Sequence, residues 1–99
     1  MKNKLPLDTV LTLMRSEKIL GLGSDLEELI QLFVKYVKNP LSTDEVEYCL
    51  AQYLAKSDYK DTIHRNNVLG KVTRFINQFG WRLPDYHLDY YRKYLPLFR

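Results

Sequence analysis

One cysteine, two histidines and four glycines are all that 99 residues carry of three residue types on which whole classes of protein depend. A lone Cys49 cannot close an internal disulfide, so no disulfide framework holds this chain together. With His64 and His87 it forms no zinc-ligand spacing, and neither a metal nor any other cofactor is expected. No apolar run approaches the twenty residues of a membrane-spanning helix, and there is no secretory signal pattern. These absences point to a cytoplasmic protein without a membrane partner. Low-complexity tracts and internal repeats are missing too, which argues against a disordered or solenoid chain.

What is present is apolar surface. Seventeen leucines within a 45% hydrophobic composition are enough to bury one core, and 99 residues are too few for two ordinary domains. The spacing of that surface is helical. Leu7, Val10, Leu11 and Met14 repeat at i, i+3, i+4 and i+7, predicting a helix over 7–20, and Gly21 and Gly23 suit its left-handed stop. Ser24 and Glu27 fit a capping box that opens a second helix, whose stripe is Leu26, Leu29, Ile30, Phe33, Val34 and Val37, ended by Asn39-Pro40. Ser42 and Glu45 repeat the capping pattern, flanked by Leu41 and Val46 as a hydrophobic staple, and the third core face is Val46, Cys49, Leu50, Tyr53 and Leu54. Residues 57–65 are polar and read as a loop. A fourth helix over 66–79 places Val68, Val72, Phe75, Ile76 and Phe79 on one side, with Gly80 as its stop. The expectation is therefore a single all-α domain over residues 1–99, a compact bundle of four or five helices. The fifth would begin at Pro84-Asp85 and stop at Pro96. Two short strands, Trp81 to Leu83 and Tyr90 to Leu95, are the alternative, giving a winged-helix-like C-terminal half.

The charge is divided unevenly. Residues 62–99 hold seven Lys/Arg against two Asp, whereas residues 1–61 hold eight basic and ten acidic side chains, so +5 and −2 make up the net +3. On the fourth helix Asn67, Lys71, Arg74 and Gln78 fall at i, i+4, i+7 and i+11, on the face away from the apolar stripe. Lysine and arginine neutralise phosphates or contact guanine, and asparagine and glutamine pair with adenine edges, so this composition suits a helix in a major groove. Arg65, Arg82, Arg92 and Lys93 extend the candidate nucleic-acid surface. An ordinary solvated helix face has the same composition.

The residues Asn67, Gly70-Lys71 and Arg74, with the terminal Gly80-Trp81-Arg82, resemble the helix that ends in a Gly-Trp-Arg turn in winged-helix segments of phage and plasmid replication proteins of the primase-helicase type. The resemblance covers about a fifth of the chain. It implies a recognition helix with Lys71 and Arg74 facing DNA, followed by a wing after Trp81.

Trp81, Tyr86, Tyr90 and Tyr94 lie among the basic residues of the tail. Such rings stack on unpaired bases, which would suit single strands or RNA, and they are also frequent at protein interfaces. For Trp81, Tyr91 and Tyr90 the competing reading is closure of the core. No catalytic pattern accompanies these features. Cys49 sits on a core face, His64 near Asp58 and Asp61 has no nucleophile placed by spacing, and the carboxylates Glu27, Glu28, Asp44, Glu45 and Glu47 occupy first helical turns, where they favour the helix dipole. The expected function is non-enzymatic DNA or RNA binding, in replication, transcription control or a ribonucleoprotein assembly. The alternative is a helical protein-protein interaction module: a subunit, an inhibitor or an immunity-like protein.

Overall fold

A computed structural model describes residues 4–17, 21–56 and 62–84. Among these residues the protein is all-α, with helices α1 (Leu7–Glu17), α2 (Ser24–Tyr36), α3 (Thr43–Ala55) and α4 (Thr62–Asn77) and no strand. None of the described helices is long and apolar enough to cross a membrane. The segment expected to form a fifth helix or a wing lies outside the described residues, apart from Trp81 to Pro84.

The four apolar stripes meet in one core. Leu7, Val10, Leu11 and Met14 of α1 are buried together with Leu29, Ile30, Leu32 and Phe33 of α2. The α3 face is buried as its spacing predicts, with Ala51 added, and α4 contributes Val68, Leu69, Val72, Phe75 and Ile76. Phe79, expected on that face, is only partly buried and packs against the core. The α2 stripe departs from expectation at Val34, which is 72% exposed, while Leu32 is buried. The two flank the core direction on opposite sides of the helix. On the Leu32 side α3 comes close enough for the Cys49 thiol to donate to the Leu32 carbonyl at 3.5 Å, and this packing decides which flank is covered.

The two expected capping boxes come out differently. Ser42 is the N-cap of α3, and its hydroxyl accepts from the Glu45 N–H at 3.3 Å. The Glu45 carboxylate does not return to the Ser42 amide. It accepts instead from the N–H groups of Lys38 (3.0 Å) and Asn39 (2.9 Å), bracing the turn between α2 and α3. These bonds hold the Glu45 carboxyl below its ordinary value. Leu41, half of the expected staple, is 48% exposed. The box at Ser24 is not formed: Gly23, at φ 56°, is the N-cap of α2, and Ser24 lies within the first turn. A positive φ favours glycine, so the backbone moves the cap one residue upstream. Glu27 is then left to pair with Arg15 of α1 at 3.6 Å.

Helix α4 begins at Thr62, four residues before its expected start, and ends at Asn77 rather than 79. Polar residues read as loop are helical here because their side chains find partners on α2 and α3. Past Asn77, the bonds Phe79 N–H to Ile76 O (3.0 Å) and Gly80 N–H to Asn77 O (3.3 Å) tighten the last turn, and Gly80 turns the chain at φ 97°. The Asn77 side chain then holds Leu83 twice, accepting from its N–H at 2.8 Å and donating to its carbonyl at 3.0 Å. The N-terminal segment closes the same end. Leu5 N–H donates to Phe79 O at 3.1 Å, and Leu7 N–H donates to Pro40 O at 2.9 Å.

Candidate nucleic-acid interface

Asn67, Lys71 and Arg74 of α4, and Gln78 just beyond its end, are all exposed. At 100° per residue they fall within about 60° of arc and span roughly 16 Å along the axis. The helix orients them because Val68, Leu69, Val72, Phe75 and Ile76 commit the other side of α4 to the core. The Arg74 guanidinium lies back along the helix over Gly70: a Cβ added there would sit 3.5 Å from its Nη1. That distance is ordinary van der Waals contact, so the arginine's placement does not require a glycine at this position.

Residues 62–84 contain Arg65, Lys71, Arg74 and Arg82 and no aspartate or glutamate. None of Lys71, Arg74 and Arg82 forms an ion pair with a described residue. Arg82 is exposed between two buried neighbours, Trp81 and Leu83. Because Asn77 clamps Leu83 and the core takes Trp81, the intervening side chain points outward.

Arg65 is placed differently from the other candidates. Its side chain is 17% exposed and donates to Glu28 Oε2 of α2 at 2.8 Å and to the Tyr53 carbonyl of α3 at 2.9 Å. Its guanidinium also lies 4.5 Å from the centre of the Tyr53 ring. It joins three helices and is withdrawn from the outer basic face. His64 meets Asp25 of α2, with Nε2 3.1 Å from Oδ2. The Tyr53 hydroxyl donates to the other oxygen of Asp25 at 2.9 Å. Burial works to raise the Asp25 carboxyl, but the hydrogen bonds of His64 and Tyr53, with the charges of His64 and Arg65, bring it below its ordinary value. Burial, then the bond to Asp25, pushes the Tyr53 hydroxyl up. Asp58 and Asp61, the expected neighbours of His64, lie outside the described residues.

Trp81 is 2% exposed, donates from Nε1 to the Leu5 carbonyl at 2.9 Å, and carries the Lys4 ammonium 4.2 Å from its ring centre. It closes the core, so its ring is not available for base stacking or for a partner. Tyr86, Tyr90, Tyr94, Arg92 and Lys93 lie outside the described residues. Cys49 is fully buried, and burial, with a smaller effect from the charge of Glu45, pushes its thiol up to about 12. Among the described residues no group of three His, Cys, Asp or Glu side chains is placed to hold a metal ion.

One cluster carries no signal in the sequence. Tyr36 of α2 and Gln52 of α3, sixteen residues apart, meet through a 3.2 Å hydrogen bond from Gln52 Nε2 to the Tyr36 hydroxyl. The pairing depends on the register between two helices, which no local spacing encodes. Compared with known protein families, curated proteins and solved structures, the chain matches none of them.

Proposed function

We propose that this protein is a non-enzymatic nucleic-acid-binding domain of the cytoplasm that places the outer face of α4 against the phosphate backbone. The observation that carries this reading is the set Lys71, Arg74 and Arg82: three exposed cations without an acidic partner among the described residues, in a stretch free of carboxylates. Cations kept clear of acids are available to replace the counterions of a polyphosphate. Asn67 and Gln78 bracket Lys71 and Arg74 with amide groups able to pair with base edges. The Gly-Trp-Arg resemblance supports the same role for α4.

The burial of Trp81 favours duplex over single strands, since the ring nearest the basic face is not free to stack. A duplex of random sequence, labelled for fluorescence anisotropy and titrated between 50 and 200 mM salt, is the direct test. Three phosphate contacts correspond to a slope of about −2.7 in log K against log salt. Lys71→Ala with Arg74→Ala should reduce that slope by about two, whereas Asn67→Ala or Gln78→Ala should change preference among sequences. A folded wild type without salt-dependent binding to duplex, single-stranded DNA or RNA would sink the proposal.

A further inference from the structure

A groove of about 450 Å³ is lined by Leu32, Lys35 and Tyr36 of α2 and by Gln52 and Lys56 at the end of α3, with Glu28 also in its lining. Val34, 72% exposed, is also among its lining residues and adds apolar surface.

The polar groups in this groove have unequal needs. The Tyr36 oxygen already accepts from Gln52 Nε2, so its own proton remains to be donated. Gln52 Oε1 is sealed from solvent and has no hydrogen-bond partner among the described residues. Lys35 lies 5.2 Å from the Tyr36 ring centre. The hydrogen bond of Gln52, then that of Lys35, with the charges of Lys35 and Lys56, holds the Tyr36 hydroxyl below its ordinary value. Both ammonium groups thus act on the same oxygen. Glu28, the one acid in the lining, is occupied by Arg65 at 2.8 Å and does not cancel them.

We infer that this groove docks an acidic peptide segment of a partner protein, with a carboxylate set among Lys35, Lys56 and the Tyr36 hydroxyl and an apolar side chain against Val34. The chemistry selects a peptide over a nucleic-acid backbone. A peptide brings carboxylates and apolar side chains together, matching the two lysines, the Tyr36 hydroxyl and the exposed Val34. A DNA phosphate diester brings an anion and no apolar side chain for Val34. The groove uses none of Lys71, Arg74 or Arg82, so it stands independently of the role proposed for α4.

The full 99-residue protein, labelled with 15N, is titrated with an acetylated, amidated twelve-residue peptide of three Leu-Glu-Glu-Leu repeats. Controls are the same peptide with glutamine for every glutamate, and a twelve-base-pair duplex DNA. The acidic peptide should shift the Gln52 side-chain amide and the Tyr36 and Lys56 backbone signals, with Kd below about 1 mM. Lys35→Gln and Lys56→Gln, both at exposed positions, should each weaken it three-fold or more, and the pair ten-fold. Tyr36→Phe, which keeps the ring, should weaken it by a similar single step, while Lys71→Ala with Arg74→Ala leaves it unchanged. Equal binding of the glutamine peptide, shifts confined to other surfaces, displacement by the duplex, or absence of binding at 1 mM would each overturn the assignment.

Discussion

The indole N–H of Trp81 donates to the carbonyl of Leu5 across 2.9 Å, joining residues 76 positions apart in the chain. Leu5 in turn donates its own N–H to the Phe79 carbonyl, so one residue of the N-terminal segment is held on both sides by the chain leaving α4. Trp81→Phe keeps most of the ring and leaves the Leu5 carbonyl unpaired, for an expected loss of about 1–2 kcal/mol. Trp81→Ala empties a buried site and should cost about 3–5 kcal/mol. Urea unfolding followed by circular dichroism measures both. Equal, negligible effects would mean that this end of the protein does not contribute to the cooperative core.

Arg65 and Lys71 are both cations of α4, and their substitutions should have opposite signatures. Arg65→Ala removes the bonds to Glu28 and the Tyr53 carbonyl, and should destabilise the domain by about 1–3 kcal/mol. Lys71→Ala, on the exposed face, should stay within about 0.5 kcal/mol. Midpoints of thermal unfolding separate the two. A neutral Arg65→Ala would contradict its role as a joint between α2, α3 and α4.

Ser42→Ala should cost about 1 kcal/mol through loss of the α3 N-cap. Ser24→Ala should change stability by no more than a few tenths, since Gly23 occupies the cap of α2 and Ser24 is exposed. Denaturant midpoints compare them, and a larger loss at Ser24 than at Ser42 would reverse this assignment of the helix starts.

Cys49, fully buried with its thiol pushed up to about 12, should react slowly with a thiol-specific dye in the native protein and quickly in 6–8 M urea. Dye absorbance over time gives both rates. Comparable rates would show that the α2–α3 packing opens readily under native conditions.

Acid should weaken the fold partly through Asp25. Its folded carboxyl lies below the ordinary value of 3.8, so the unfolded state takes up its proton first as pH falls. The stability it contributes is present above that value and is lost as pH drops through the folded pKa. Asp25→Asn should therefore flatten the fall of stability below about pH 4. Unfolding free energies at several values between pH 6 and 2.5 test this, and a parallel curve for the variant would assign the acid sensitivity to other carboxylates.

How much of this was legible in the sequence differs from element to element. Helical periodicity is local, and so the stripes of α1 and α3, the Ser42 cap and the turn at Gly80 could be read directly: a repeat of about 3.6 residues and a backbone turn depend only on near neighbours. The face of Asn67, Lys71, Arg74 and Gln78 follows from the same periodicity. Contacts between helices are not local. Whether Leu32 or Val34 is covered, whether α4 starts at residue 62 or 66, and whether Arg65 faces solvent or Glu28 all depend on which helix packs on which side.

The composition and spacing of the chain by themselves determined an all-α core and a basic α4 face, because burying regularly spaced apolar residues necessarily turns the residues between them outward. Only the tertiary structure decided which polar residues were left to act on that surface. It took Arg65 and Trp81 into structural roles through partners 37 and 76 residues away. It also brought Tyr36 and Gln52 together beside two lysines. Such pairings require the register between packed helices, and that register is set by the fit of the whole core.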